Sequence, residues 1–175
     1  MDNKNTTLIY TKDDIFKSEP YSVITHACNT LGFWGAGIAK QMRDEYPTHY
    51  KEYNSFCKNN KAKEILGGCL LLDKNIVSNN TKNKKHHIAC LFTNLDTGKR
   101  FPSEEEIKNI LSNTKQSMES LLLQVEEDTS NGTSMKDIHM PKINSGYFGV
   151  PWERTEECIR SLSIDYKVNI YIHII

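Results

Sequence analysis

A short stretch in the first quarter of the chain constrains the fold more than any other. An apolar segment at residues 21–25 is followed by a polar turn, by Gly35 and Gly37, and then by residues at helical spacing. A strand, a glycine turn and a helix start together direct free backbone N–H groups and the positive end of a helix towards an anion. Glycine leaves room for a phosphate beside the backbone. The stretch predicts a site for a phosphate-bearing small molecule near His26 and Asn29, although a turn that binds nothing would show the same pattern.

Two familiar phosphate-binding motifs do not fit this stretch. The chain has two glycines at the spacing of a P-loop, but Ile38 and Ala39 stand where that motif needs Lys and Ser or Thr. A dinucleotide-binding fingerprint would place its last glycine at the position of Lys40. The loop is therefore of neither type.

The composition favours a single globular domain over residues 1–175 and excludes several classes of protein. The 175 residues carry 22 Lys and Arg against 22 Asp and Glu, so no bulk positive charge indicates nucleic acid or an anionic membrane as a partner. No apolar run is long enough to span a membrane, and the first residues lack the apolar core of a signal peptide. Five cysteines, an odd number set in or beside apolar segments, are typical of free thiols in a reducing compartment. We expect a protein of the cytoplasm or nucleus that acts as a monomer.

Strand and helix signals alternate along the chain. Pro47 and Pro151 suit the first positions of helices, and Ser103 with Glu106 forms a capping box ahead of an amphipathic segment. The alternation predicts an α/β fold with helices on both faces of a mostly parallel sheet. Strands are predicted at residues 7–11, 21–25, 69–72, 87–93, 138–143 and 168–174, helices from residues 37, 47, 103 and 151, and loops at 74–85 and 126–136.

Ligands of such a sheet bind beyond the carboxyl ends of its strands. Three polar segments follow predicted strands and are expected to meet there: Asp13 with Asp14, residues 29–37, and residues 144–150. The last segment resembles the first glycine loop, because a strand and two glycines again lead into a helix. Two glycine loops suit a ligand with a diphosphate better than a ligand with one phosphate.

Other residues near these loops have two interpretations each. The carboxylate of Asp14 could accept hydrogen bonds from an exocyclic amine or from ribose hydroxyls, or it could simply cap a turn. Tyr147 and Phe148 could flank a sugar or a base, or they could serve only in packing.

The spacing of potential metal ligands predicts no metal site, and we expect no cofactor. His86, His87 and Cys90 are too few and too close together for tetrahedral zinc, and His86 and His87 would point to opposite faces of a strand. Cys28 has the position of a nucleophile, but no Arg lies near it along the chain to hold a phosphate. We interpret Cys28 as a small packing residue.

Three segments carry a resemblance to a known family. They are Asp14 with Ile15, residues 26–29 together with 34–39, and residues 140–152. In these segments the chain resembles the macrodomains, and among them the fungal ADP-ribose 1″-phosphate phosphatases, from about residue 7 to the C-terminus. The resemblance implies a three-layer α/β/α sandwich around a mixed, mostly parallel sheet, with ADP-ribose bound along the crest of the sheet.

The resemblance also implies a role for each matched segment. Asp14 and Ile15 would take the adenine, and residues 27–29 would line the distal ribose. Residues 36–41 and 145–150 would hold the diphosphate and the terminal group. The implied binding residues are Asp13, Asp14, Ile15, Ala27, Cys28, Asn29, Gly35, Ala36, Gly37, Ile38, Ala39, Lys40, Gln41, Ser145, Gly146, Tyr147, Phe148, Gly149 and Val150.

Departures from neighbouring branches of the family indicate the reaction. Macrodomains that release ADP-ribose from acidic side chains often carry an acid where this chain has Ala39. The related glutamyl hydrolases use a Lys and an Asp where it has Asn94 and Phe148. The resemblance therefore implies hydrolysis of ADP-ribose 1″-phosphate to ADP-ribose and phosphate, which clears a by-product of tRNA splicing. Removal of mono-ADP-ribose from ADP-ribosylated proteins, and non-catalytic binding of ADP-ribose, are the alternatives.

His26 and Asn29 are the predicted catalytic residues. Because histidine titrates near neutral pH, His26 would act as a general base on water or would protonate the leaving oxygen. Asn29 would orient the distal ribose, and backbone N–H groups of the two loops would stabilise charge on the phosphoryl oxygens without a metal. The alternative for His26 is a histidine with satisfied hydrogen bonds at the end of a strand.

Overall fold

The computed structural model describes residues 5–72, 86–130 and 137–174, and six strands within these ranges form one sheet. The strands are β1 (Thr6–Thr11), β2 (Val23–Asn29), β3 (Cys69–Leu72), β4 (His87–Asn94), β5 (Ile138–Pro141) and β6 (Val168–His173). Their order across the sheet is β1-β6-β5-β2-β4-β3. β3 runs antiparallel to β4, and the other pairs in the described ranges are parallel. The predicted mixed, mostly parallel sheet is confirmed.

Helices cover both faces of the sheet and bury two apolar cores. The helices are α1 (Gly37–Glu45), α2 (Pro47–Asn59), α3 (Ala62–Ile65), α4 (Glu104–Ser130) and α5 (Trp152–Arg160), with a short 3-10 helix at Ile15–Lys17. Leu121 of α4 and Ile159 of α5 lie in the core on one face. Met42 of α1 and Tyr53 of α2 lie in the core on the other face, together with Ile24 of β2. These layers form the predicted α/β/α sandwich. Among the described residues, no helix combines the length and the apolar character needed to cross a membrane.

The helix starts were predicted well because their signals are local. Pro47 begins α2, and Pro151 stands immediately before α5. Before α4, the Glu106 N–H donates to the Ser103 hydroxyl at 3.1 Å, and the Ser103 N–H donates to the Glu106 carboxylate at 3.4 Å. The capping box is therefore confirmed.

Several predicted boundaries were wrong. β2 begins at Val23 and continues to Asn29, because its polar second half pairs with β4 and so belongs to the sheet. β5 ends at Pro141, which has no N–H to continue the ladder. The loop predicted from residue 126 is helical up to residue 130, since Glu126 and Glu127 are good helix formers. Its remaining residues 131–136, and the loop predicted at 74–85, lie outside the described residues.

Candidate functional site

A cavity of about 640 Å³ lies at the carboxyl ends of the central strands. Its walls come from residues 27–29 at the end of β2, residues 33–39, residues 97–98 after β4, residues 141–148 after β5, and residues 173–174 at the end of β6. The two glycine loops predicted to share a ligand therefore face one cavity. We call residues 33–39 the first loop and residues 144–150 the second loop.

The first loop presents the N-terminus of α1 to the cavity. The first intrahelical bond joins the Lys40 N–H to the Ala36 carbonyl at 3.2 Å, so the N–H groups before Lys40 have no acceptor within the helix. No side chain caps this end. A Cβ atom added to Gly35 or Gly37 would meet nothing within 4 Å, so a side chain there would project into open space. The geometry suits an anion close to the backbone.

The second loop is held by the side chain of Asn144. This buried residue has a φ of 66°, and its carbonyl accepts a hydrogen bond from the Val150 N–H at 2.9 Å. Its Oδ1 accepts from the Thr93 hydroxyl, and its Nδ2 donates to the Thr114 hydroxyl, both at 2.9 Å. The loop is thereby fixed to the end of β4 and to α4. The sequence marked Asn144 only as the start of a loop, because its partners are distant along the chain.

A segment after β4 also contributes to the cavity, and it was missed from the sequence. Thr97 and Gly98 line the wall. A Cβ on Gly98 would lie 2.6 Å from the Tyr147 carbonyl oxygen, so only glycine allows this approach to the second loop. The turn Asp96-Thr97-Gly98 directly after a buried strand is the same signal that identified the other loops, and it could have been found in that way.

Asn29 lies in the cavity wall, but its amide is largely used within the turn that follows β2. Its Oδ1 accepts from the Leu31 N–H at 3.0 Å and from the Tyr53 hydroxyl at 3.0 Å, and its Nδ2 donates to the Phe33 carbonyl at 2.8 Å. One N–H of Nδ2 is left to reach a ligand. The predicted role of Asn29 in orienting a ribose stays a prediction.

His26 does not lie in the cavity wall. Its side chain is fully buried, its ring is 4.8 Å from the Trp34 ring in an edge contact, and its Nε2 is 3.5 Å from the Cys28 sulfur. Alternate residues of a strand face opposite sides, and His26 faces α1 and α2. A general base must reach the proton that it removes, so this position does not support the catalytic role expected of His26.

Cys28 is buried beside His26 and also contributes to the cavity wall. Burial by itself would raise the pKa of the Cys28 thiol. Interactions with Cys90, with the charge and ring of His26, and with Trp34 outweigh burial and lower this pKa to about 6. The interpretation of Cys28 as a small packing residue stays a prediction.

The residues expected to take the adenine lie at the β6 end of the cavity, outside its wall. The Asp14 carboxylate accepts a hydrogen bond from the Phe16 N–H at 3.0 Å. This contact corresponds to the second interpretation of Asp14, in which its side chain caps a turn. Ile15 is buried in the core, and the Asp13 carbonyl accepts from Nδ1 of His173 at 2.7 Å. His173 itself lines the cavity.

Four further predicted binding residues also lie outside the wall. Lys40 and Gln41 come after the first three residues of α1, whose N–H groups have no acceptor within the helix. The N–H groups of Lys40 and Gln41 therefore form hydrogen bonds within the helix. Gly149 and Val150 end the second loop without lining the cavity, and Val150 packs against Ile110 of α4. The remaining predicted binding residues line the cavity, namely Ala27, Cys28, Asn29, Gly35, Ala36, Gly37, Ile38, Ala39, Ser145, Gly146, Tyr147 and Phe148.

The cavity wall is poor in charge. Of its residues in the described part of the chain, Lys142 carries the one fixed charge, and no Asp or Glu is among them. Phe33 and Tyr147, which are 55% and 66% exposed, stand on the two loops at the wall. The cavity can thus accept an anionic ligand with a sugar or a base, held by backbone donors, one ammonium group and aromatic rings.

The sequence matches the Macro domain family over residues 25–159, and the chain belongs to the macrodomain family. The ADP-ribose 1″-phosphate phosphatase of Lodderomyces elongisporus is 37% identical over 174 residues, which cover 95% of this chain and 98% of that protein. Other fungal relatives that are 28 to 33% identical carry the same name.

Two solved structures show the same fold at lower identity. The macrodomain of Mycobacterium tuberculosis DarG has a TM-score of 0.67 and 21% identity, over 94% of this chain and 97% of that chain. Thermosipho africanus DarTG in complex with ADP-ribose has a TM-score of 0.62 and 21% identity, over 95% of this chain and 41% of that chain.

Proposed function

We propose that this protein hydrolyses ADP-ribose 1″-phosphate to ADP-ribose and inorganic phosphate. The observation that carries the proposal is the convergence of the first and second loops on one cavity, which suits a diphosphate with a further phosphate at one end. The fungal relatives that match almost the whole chain are named for this activity. We propose that the substrate arises inside the cell as a by-product of tRNA splicing, and that the enzyme acts on it as a monomer in the cytoplasm or nucleus.

Catalysis in this proposal rests on positioning and on backbone hydrogen bonds. The oxygen of a water molecule attacks the 1″-phosphorus, and the bond from phosphorus to the ribose oxygen breaks. N–H groups at the start of α1 stabilise the charge that develops on the phosphoryl oxygens. A phosphoryl oxygen of the substrate takes the proton of the attacking water, and the ribose oxygen leaves and is protonated from solvent.

His26 is not the base in this scheme, because it lies behind the cavity wall. The substitution His26→Gln keeps a polar side chain of similar size, and we expect it to leave the shape of the pH–rate profile unchanged. Loss of one limb of that profile, with ADP-ribose affinity unaltered, would restore His26 as the general base.

We also propose that hydrolysis needs no divalent cation at the phosphate. Hard cations such as Mg²⁺ prefer carboxylate ligands, and no Asp or Glu belongs to the described wall. Phosphate release should therefore be the same with and without added Mg²⁺. A rate that rises in proportion to bound Mg²⁺ would contradict this part of the proposal.

One assay separates the proposed activity from its alternatives. The protein is incubated with ADP-ribose 1″-phosphate and, separately, with ADP-ribosylated protein, while released phosphate and ADP-ribose are measured. We expect phosphate from the first substrate and little ADP-ribose from the second, since Ala39 stands where de-ADP-ribosylating relatives often have an acid.

Release of ADP-ribose from the protein substrate alone would identify a de-ADP-ribosylating enzyme. Tight binding of ADP-ribose without turnover of either substrate would identify a reader, and no calorimetric signal at millimolar ADP-ribose would overturn the proposal.

A further inference from the structure

Three potential metal ligands lie together at one side of the cavity, where Cys28 lines the wall and His26 and Cys90 lie behind it. The ligand atoms of His26, Cys28 and Cys90 are all within 4.8 Å of one another, and the three side chains are buried. His26 and Cys28 are two residues apart on β2 and so share one face of the strand. Cys90 of β4 is the direct register partner of His26. The sheet itself therefore holds the three groups together.

We propose that His26, Cys28 and Cys90 bind one zinc ion, which stabilises the end of β2 beneath the cavity. Thiolate and imidazole ligands are the set that zinc prefers. The site is distinct from the phosphate chemistry proposed above, and it does not depend on that proposal. It also differs from the prediction made from the sequence, in which Cys90 was considered as a zinc ligand only together with its chain neighbours His86 and His87.

The distance between the first two ligands fits a zinc site. Zinc lies about 2.3 Å from a cysteine sulfur and about 2.0–2.1 Å from a histidine nitrogen, so tetrahedral ligands of these two kinds are roughly 3.6 Å apart. The Nε2 atom of His26 is 3.5 Å from the Cys28 sulfur. A metal can therefore enter between the two side chains with little movement of the strand.

The charge of the ligand set fits as well. Two thiolates balance the two positive charges of the ion, and a neutral imidazole adds none, so the complex carries no net charge. This matters because an unbalanced charge in a fully buried site is strongly unfavourable. Three protein ligands leave a fourth coordination position, which a water molecule can occupy.

A neighbouring tryptophan provides an independent observation. The indole N–H of Trp34 is buried without a hydrogen-bond partner among the described residues, and Trp34 is one of the groups near the Cys28 sulfur that lower the pKa of that thiol. A neutral thiol is a weak hydrogen-bond acceptor, whereas a metal-bound sulfur is an anionic thiolate and accepts well. A thiolate at Cys28 would accept a hydrogen bond from this donor. Hydrogen bonds from neighbouring groups to the ligands are common around metal sites.

The test measures the metal directly, on full-length protein without a histidine tag. The protein is expressed in zinc-supplemented medium, and bound zinc is measured by elemental mass spectrometry. We expect about one zinc ion per chain. Replacing zinc with Co²⁺ should give thiolate-to-cobalt charge-transfer bands and the strong visible bands of a tetrahedral site. Cys90→Ser should reduce bound metal at least about tenfold. Cys158→Ser should retain it, because the Cys158 sulfur lies on α5 beside the Leu111 carbonyl.

Wild-type protein with less than a tenth of an equivalent of zinc and no cobalt bands would overturn the proposal. Equal loss of metal in Cys90→Ser and Cys158→Ser would overturn it too. If Cys90→Ser fails to fold, native alkylation of the wild type decides the question. The proposal requires chelation to increase the labelling of Cys28 and Cys90 over that of Cys158, and unchanged labelling would contradict it. None of these measurements uses ADP-ribose, so their outcome is independent of the proposed activity.

Discussion

The first and second loops face the same cavity, but they are built in opposite ways. In the first loop, the glycines adjoin open space, and the N-terminus of α1 has no side-chain cap. The second loop is packed from behind. A Cβ on Gly149 would lie 2.5 Å from the Pro102 side chain and 2.7 Å from the Arg100 carbonyl.

This difference separates two uses of glycine. At Gly35 of the first loop, glycine leaves space for a ligand, whereas at Gly149 it lets two segments of the chain approach each other. A substitution at Gly35 should therefore affect binding, and a substitution at Gly149 should affect stability. Gly37 combines the two properties, because it adjoins open space but has a φ of 56°.

The largest effect is expected for Gly149→Ala. Gly149 has a φ of 70°, which is unfavourable for alanine, and the new methyl group would overlap Pro102. We expect a loss of roughly 2–4 kcal/mol in the free energy of unfolding, measured by urea denaturation. Gly146→Ala is the matched control in the same loop, because a Cβ there meets nothing within 4 Å. A change within about 0.5 kcal/mol is expected for the control. Equal destabilisation by both substitutions would mean that the whole loop is tightly packed.

The next effect concerns binding in the first loop. Gly35→Val would place a branched side chain where the backbone is expected to meet the diphosphate. Affinity for ADP-ribose, measured by calorimetry, should fall about ten- to a hundredfold, or ~1.4–2.8 kcal/mol, while the unfolding midpoint stays the same. Gly35→Ala should lie between the wild type and Gly35→Val. If Gly35→Val lowered the unfolding midpoint but left the affinity for ADP-ribose unchanged, glycine would have the same role in both loops, which would contradict the difference described above.

The same difference explains how much of the site could be predicted from the sequence. The first loop is a local pattern, in which Gly35, Gly37 and the start of α1 are neighbours along the chain, and its position was predicted correctly. The supports of the second loop are distant in sequence, because Asn144 bonds Thr93 and Thr114. Local patterns could not reveal these partners.

His26 illustrates a second limit of the sequence. It was predicted at the end of a strand but lies in the middle of β2, and the side of the sheet that it faces depends on which helices cover each face. The register that brings Cys90 beside it depends on the pairing of β2 with β4. The fold class and the helix starts follow from local signals, whereas side-chain orientation at the strand ends does not.

A smaller effect is expected from Lys142, which lines the cavity two residues before the second loop. Its ammonium group is the one fixed charge among the described residues of the wall, and it is exposed to solvent. Lys142→Gln should weaken ADP-ribose binding about three- to tenfold at low salt, and added salt should reduce the difference. Lys40→Gln is the control, because Lys40 lies outside the wall. A loss that does not depend on salt would show that Lys142 acts through packing and not through its charge.

The smallest effect concerns β5, the strand that leads into the second loop. The ring of His139 stacks on Tyr171 at 4.7 Å, and its Nδ1 is 2.8 Å from Nε2 of His173. The Nδ1 atom of His173 in turn donates to the Asp13 carbonyl at 2.7 Å. Burial, followed by the charges of His173 and His86, lowers the pKa of His139 to about 4.

The sign of the resulting pH dependence follows from this lowered pKa. The unfolded chain takes up a proton at His139 near its ordinary pKa of about 6.5, whereas the folded protein does so only near pH 4. Between these values the unfolded state binds more protons, so stability contributed at His139 above pH 6.5 is lost as the pH falls towards 4. Because this ring is only half-buried and solvent screens its charge, we expect a contribution of about 0.5–1 kcal/mol. His139→Gln should remove that part of the stability loss between pH 7 and pH 4.5, measured by urea denaturation at both pH values. Asp13→Asn is the control and should not remove it, because Asp13 bonds His173 through its backbone carbonyl. Identical pH dependence in wild type and His139→Gln would show that the stability of the fold does not depend on a neutral His139.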